Sequence, residues 1–311
     1  NSDRQTLNVV VERNGNTYAR KLKQLDLPHQ VSSVLRNKGV YVLAGGAGYI
    51  GGIITRYLVQ TYQAEVIWLG RREHDELIDK KIEAIATYGS RPQYITIKNW
   101  SEEETKAVFD QIKQEKKNIN GVFNLVMVAQ GVPIHKLNKE QFRAGSYDSK
   151  VKSALALYSV LKNEPLDFLV FFSSMQSFAQ RLKFMSANMS SYIAGCMFQD
   201  ALAHEMNKQV TYPIKTINWG YWSRQQLDDS NTYKQYETYL EKQGIYGLSD
   251  REGMEALERI LAQDSEQVIV TKASDEILKK LGVLHNKNTL IASLPDRSSM
   301  LNRLLSEADQ F

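Results

Sequence analysis

The stretch Gly39-Val40-Tyr41-Val42-Leu43-Ala44-Gly45-Gly46-Ala47-Gly48-Tyr49-Ile50-Gly51 decides the fold of this chain. Its first six residues form an apolar run of strand length, and the glycines after them force a turn. Beyond the turn, Ile50, Ile53, Ile54, Tyr57 and Leu58 recur at the i, i+3, i+4, i+7 spacing of one helix face. A glycine-rich turn between a strand and a helix lets backbone N–H groups and the helix N-terminus hold a pyrophosphate. Gly45, Gly46, Ala47, Gly48, Tyr49, Ile50 and Gly51 are therefore candidates for a dinucleotide site. The bland alternative is an ordinary strand-to-helix turn.

Outward from this stretch, strand and helix patterns alternate. Strands are predicted at 64–69, 94–97, 121–126, 166–172, 214–219 and 266–271, and helices at 76–88, 101–117, 139–162 and 190–207. Short apolar strands separated by helices pair in parallel, with helices on both faces. The fold class is α/β: a Rossmann-like, doubly wound parallel sheet of about seven strands. Ahead of it, 7–13 and 17–20 flank Asn14-Gly15 and predict a short N-terminal β-hairpin. Two strands do not stand alone, so this segment must pack on the larger unit. The expected division is an N-terminal β segment at 1–38, a Rossmann domain at 39–290, and a polar tail or linker at 291–311.

Composition narrows the function classes. The 311 residues are 42% hydrophobic and 24% charged, ordinary values for a globular protein. The net charge of +4 is spread along the chain, which argues against nucleic acid as a partner. A single cysteine allows no internal disulfide. The apolar run Phe168–Phe172 is too short for a bilayer and the N-terminus is polar, so neither a membrane span nor a signal peptide is expected. A cytoplasmic protein is the expectation. The histidines at 29, 74, 135, 204 and 285 lack ligand spacing, and no metal site is expected.

The second strand runs into Arg71-Arg72, with no carboxylate before Glu73, at the spacing from the glycines where a ribose is read. An acidic residue there suits a 2′-hydroxyl, whereas arginine suits a 2′-phosphate, so NADPH is the predicted cofactor. The competing reading is a solvated basic loop. The fifth strand leads into Ser173-Ser174, and Tyr192 opens a long helix. That pair suits carbonyl reduction: a phenol gives the proton while a serine holds the oxygen. A free tyrosine titrates near 10, so a nearby cation is needed. Many reductases place lysine four residues after the tyrosine; here that position is Cys196.

Several motifs occur in order: Gly45–Gly51, Leu69-Gly70-Arg71, Gly121–Asn124, Lys150-Val151-Lys152-Ser153-Ala154, Phe171–Ser174, Tyr192-Ile193-Ala194-Gly195-Cys196-Met197-Phe198-Gln199-Asp200, and Asn218-Trp219-Gly220. From about 39 to about 270 this set resembles the ketoreductase domain of modular polyketide synthases, a branch of the short-chain dehydrogenase/reductases. The Tyr-x-Ala-Gly-Cys run is most similar to bacterial assembly lines whose acyltransferase is a separate protein.

The resemblance implies that Tyr192 is the proton donor, Ser174 the carbonyl partner, and Lys150 the cation that tunes the tyrosine and holds the ribose. Lys152 points to another helix face. Val126 and Met127 fall beside the nicotinamide ribose, where relatives carry small residues, and Asn99 falls where relatives place an aspartate near the adenine. Ala129-Gln130-Gly131 replaces a Leu-Asp-Asp pattern tied to one hydroxyl stereochemistry. The Ser174–Tyr192 stretch exceeds the family norm, and 223–243 corresponds to a substrate lid or an amphipathic surface helix. Residues 1–38 resemble the last strands of the family's structural half. The implied activity is NADPH-dependent reduction of a β-ketoacyl thioester on the phosphopantetheine of an acyl carrier protein, among neighbouring polyketide synthase domains. The alternative is an inactive pseudo-ketoreductase scaffold.

Overall fold

In the computed structural model, the described residues are 10–19, 22–28, 31–116, 118–128, 131–179, 182–186, 188–224, 231–284 and 303–307. The hairpin forms as strands β1 (Val10–Arg13) and β2 (Asn16–Ala19). Asn14 and Gly15 both take positive φ, 51° and 75°, the turn geometry that matches strand twist.

Seven parallel strands make the body: β4 (Val40–Ala44), β5 (Glu65–Gly70), β6 (Gln93–Thr96), β7 (Gly121–Asn124), β8 (Phe168–Ser174), β9 (Ile214–Trp219) and β11 (Gln267–Ala273). Their spatial order is β6-β5-β4-β7-β8-β9-β11, a doubly wound sheet as the alternation predicts. The chain winds outward from β4 to β6, then returns to β7 on the other side of β4. That reversal opens a crevice beyond the carboxyl ends of β4 and β7, the usual ligand position in such sheets.

The sheet extends further, to eleven strands in all. β10 (Ile245–Tyr246) pairs antiparallel with β11. β3 (Leu22–Leu25), from the N-terminal segment, pairs with β12 (Val283–Leu284) and with β13 (Arg303–Glu307), which itself pairs with β11. The segment expected as a tail, 291–311, is described only at this last strand.

Helices cover both faces. On one side α1 (Tyr49–Tyr62), α2 (Glu76–Ala86) and α9 (Asp250–Leu261) bury Leu58, Trp68, Ile82 and Leu257. On the other, α3 (Glu102–Glu115), α5 (Ser153–Leu161) and α7 (Ser190–Asn207) bury Phe109, Leu157 and Phe171. Ser101 caps α3 by accepting from Glu104 N (3.2 Å).

Three differences from the expected boundaries bear on the site. β7 stops at Asn124 rather than 126, because the Asn124 side-chain oxygen accepts from Val126 N (3.2 Å) and turns the chain. β8 continues to Ser174, which is therefore its last residue and not a loop residue. The 139–162 helix is interrupted: α4 (Lys139–Phe142) and α5 flank a π-helical stretch, Arg143–Lys152. Among the described residues no helix is long and apolar enough to cross a membrane.

Candidate active site

The glycine loop is built for close approach. Gly45 takes φ +85°, a conformation L side chains resist, and turns the chain out of β4. A Cβ at Gly51 would lie 2.2 Å from Gly46 O, so only glycine lets α1 start against the loop. Gly48 caps α1 without a side-chain bond, leaving the first N–H groups of the helix for a ligand. Gly46 serves packing instead: it is buried against Trp68, where a Cβ would meet the indole at 2.2 Å.

The crevice has a volume of about 340 Å³. Gly45, Ala47–Gly51, Arg71, Arg72, Val126 and Met127 line it. Four cations line the wall, Arg71, Arg72, Lys81 and Arg224, and among the described residues no carboxylate does. Arg72 is 3.5 Å from Asp75, and Lys81 donates to Ala47 O (2.6 Å). Among the described residues no carboxylate pairs with Arg71. A glycine cradle under four cations fits an anionic dinucleotide. Asn99 does not line the crevice: its N–H is taken by Glu104 (2.8 Å), and the neighbouring Trp100 stands in the wall. Met127, the bulky residue expected beside the ribose, is half exposed and lines the crevice. Ala129 and Gln130 lie outside the described residues.

Behind the crevice, Lys150, Ser174 and Tyr192 come together from three separate segments. The π-helical stretch carries Lys150, which is 2% exposed, and its Nζ donates to Phe172 O on β8 (2.5 Å). That Nζ lies 6.0 Å from the Tyr192 ring centroid. Lys152 is only partly buried. Ser153, one turn past Ser149, donates to Ser149 O (2.6 Å) and receives Asn124 Nδ2 (3.0 Å), which ties the lysine segment to the end of β7.

Burial raises the Tyr192 phenol well above its usual value; a hydrogen bond with Cys196 adds to the rise, and one with Ser174 opposes it. At neutral pH the hydroxyl therefore keeps its proton. Burial lowers Lys150, against the pull of Cys196 and Asp200. Cys196 is buried and pushed up to about 11 by that burial, so it stays a thiol.

The stretch between Ser174 and Tyr192 folds inward. A short 3-10 turn (Met175–Phe178) and α6 (Lys183–Ser186) pack Met175, Phe178, Leu182 and Met185 into a third apolar cluster. Gln176 Nε2 holds Met185 O (3.1 Å).

Sequence reading missed the support of this cluster. Asn218 Nδ2 faces Ser173 Oγ (3.1 Å), Ser174 O (3.1 Å) and Asp200 Oδ2 (2.9 Å), while Gln267 Nε2 donates to Asn218 Oδ1 (2.9 Å). Burial lifts Asp200 to about 6, against hydrogen bonds from Ser173, Asn218 and Ser177. The signal was available: Asp200 stands two helical turns after Tyr192, and Asn218 sits between Ile217 and Trp219 at the end of a central strand.

Residues 39–224 match the family model described as the KR domain. The chain belongs to the KR domain family. Similar curated proteins include the polyketide synthases PksN and PksM of Bacillus subtilis (strain 168). PksN is 32% identical over 280 residues, covering 88% of this chain and 5% of its own length. PksM is 30% identical over 267 residues, covering 86% and 6%. The chain thus spans about a twentieth of these relatives.

Among solved structures, a ketoreductase domain from the bacillaene assembly line has a TM-score of 0.76 at 20% identity, over 90% of this chain and 66% of that one. An N-terminal ketoreductase from the macrolactin assembly line has a TM-score of 0.67 at 27% identity, over 83% and 49%. KR domains are short-chain dehydrogenase/reductases, an oxidoreductase group that binds nicotinamide cofactors, and this chain is a ketoreductase domain of the polyketide synthase kind.

Proposed function

We propose that this KR domain reduces the ketone of a β-ketoacyl thioester, presented on the phosphopantetheine of an acyl carrier protein, to a hydroxyl at the expense of NADPH. The observation that carries the reading is the buried set of Tyr192, Ser174 and Lys150 at the carboxyl end of β8. The residues fit NADPH: the glycine loop and the start of α1 would hold the diphosphate, and Arg71 with Arg72 the 2′-phosphate. A bound nicotinamide would supply hydride to the ketone carbon. Tyr192 Oη gives the carbonyl oxygen its proton, and Ser174 Oγ steadies that oxygen by donating a hydrogen bond. Lys150, anchored on Phe172 O, keeps two further N–H donors to hold the cofactor ribose and to favour charge on Tyr192 Oη as its proton leaves.

The same reading places the domain beside other synthase domains in the cytoplasm. A pseudo-ketoreductase scaffold fits less well, since it would keep a buried lysine and a buried carboxylate with no return for their desolvation. The reading is tested by incubating the domain with NADPH and a short β-ketoacyl thioester and looking for the β-hydroxyacyl product. Formation of product is expected; no product with the wild type would overturn it.

A further inference from the structure

Arg224 belongs to none of the motifs that mark the cofactor crevice, yet it stands in its wall. The chain is clamped on its way there. After β9, Gly220 passes so close to β11 that a Cβ would sit 2.9 Å from Thr271 Oγ1 and 3.0 Å from Val270 O. Leu248 N donates to Tyr221 O (2.8 Å), and Ser223 N donates to Leu248 O (2.9 Å). Trp222 is buried beside Trp219, with ring centroids 4.9 Å apart. It also lies under Gly253 of α9, where a Cβ would fall 2.1 Å from the indole. This path leaves Arg224 little freedom of position.

At its end the guanidinium faces two rings. Its central carbon lies 5.2 Å from the Tyr49 ring centroid and 4.8 Å from that of Tyr233. Tyr49 is the first residue of α1 and sits inside the glycine motif; its hydroxyl donates to Ser223 O (2.6 Å). Tyr233 belongs to α8 (Asn231–Lys242), within the region the sequence reads as a substrate lid or an amphipathic surface helix. Aromatic faces hold a planar cation in place but leave its N–H edge free to bind an anion. Among the described residues, Arg224 has neither a carboxylate partner nor a hydrogen-bond acceptor.

We propose that Arg224 is a diphosphate-binding residue of this crevice, held ready between Tyr49 and Tyr233, so that a bound dinucleotide ties α8 to the glycine loop. The proposal rests on reading the crevice as the NADPH site. It assigns Arg224 a different phosphate from Arg71, which stands at the end of β5 where the 2′-phosphate is read. Loss of one charge-assisted contact of this kind weakens binding about tenfold or more, about 1.4 kcal/mol per factor of ten.

The test titrates wild type, Arg224→Ala and Arg71→Ala with NADPH and with 2′-AMP, which carries the 2′-phosphate and no diphosphate. Hydrogen exchange of α8 is followed with and without NADPH. Arg224→Ala is expected to weaken NADPH at least tenfold and leave 2′-AMP within about twofold. It should also abolish the slowing of α8 exchange that NADPH causes in the wild type. Arg71→Ala should weaken both ligands. NADPH affinity unchanged in Arg224→Ala would overturn the assignment, as would equal losses for both ligands. A wild type that binds neither ligand would instead overturn the cofactor reading, and the assignment with it. If Arg224→Ala does not fold, Arg224→Gln keeps a planar group over the rings and must show the same selective loss.

Discussion

Arg71 stands exposed at the end of β5, while Lys150 carries the same charge with 2% of its surface exposed. The contrast extends to the regions around them. The crevice is open and cationic, and short local segments shape it: the glycine loop, the end of β5 and the chain just after β7. The cluster behind it is closed and nearly neutral, and it is assembled from residues 150, 174 and 192 by tertiary hydrogen bonds. An open cationic wall binds a phosphorylated ligand and lets it leave, because water still screens each charge. A closed cluster strengthens every dipole aimed at a reacting atom and sets its protonation state by burial. The two regions therefore respond to substitution in opposite ways: the crevice in affinity, the cluster in turnover and titration.

The largest separation is expected for Tyr192→Phe. Steady-state kinetics should show turnover falling about 10² to 10⁴-fold, while fluorescence titration finds NADPH affinity within about twofold. Full turnover in this variant would remove the phenol from the mechanism. Lys150→Met comes next. Removing the ammonium takes the Nζ donor from Phe172 O and the countercharge from Asp200, so the melting temperature should fall, and kcat should drop about a hundredfold. A variant that loses stability and keeps activity would make Lys150 a structural residue.

On the crevice side, Arg71→Ala should reduce the preference for NADPH over NADH about ten- to a hundredfold in kcat/KM, with kcat on NADPH nearly unchanged. An unchanged preference would return Arg71 to the solvated basic loop.

An effect on stability rather than on catalysis concerns Asp200, whose folded value of about 6 lies above its usual 3.8. The native state then holds its proton more tightly than the unfolded chain does. Stability from this group is fully present below the unfolded value and is lost as pH rises through about 6, a loss of roughly 3 kcal/mol at most. Cys196 and Tyr192, which face the same pocket, keep their protons across that window. Denaturant titrations of Asp200→Asn should lack this fall. An identical pH profile in wild type and variant would place the titration elsewhere.

The crevice was the more legible half because its determinants are local. A strand, a glycine turn and a helix must be contiguous, so Gly45–Gly51 and Arg71 could be placed from spacing, and the parallel, doubly wound sheet followed from strand–helix alternation. The cluster depended on contacts that spacing does not encode. Resemblance supplied Lys150, but the π-helical stretch that carries it leaves no mark in hydrophobic periodicity.

The Asp200–Asn218–Ser173 support joins a helix to two strands, and Trp100 and Arg224 enter the crevice wall through chain reversals. Asn99, set near the adenine by position, has its backbone N–H held by Glu104, and the neighbouring Trp100 lines the crevice. Met127, which the sequence set beside the ribose, lines the crevice with half its surface exposed.

The most direct test of the account is whether the two regions work as one site. NADPH is titrated into the wild-type domain with saturating β-ketoacyl thioester, and crevice occupancy and β-hydroxyacyl product are read in the same samples. Product formation rising in step with occupancy is the predicted result. A crevice that fills with NADPH while no product forms would contradict it.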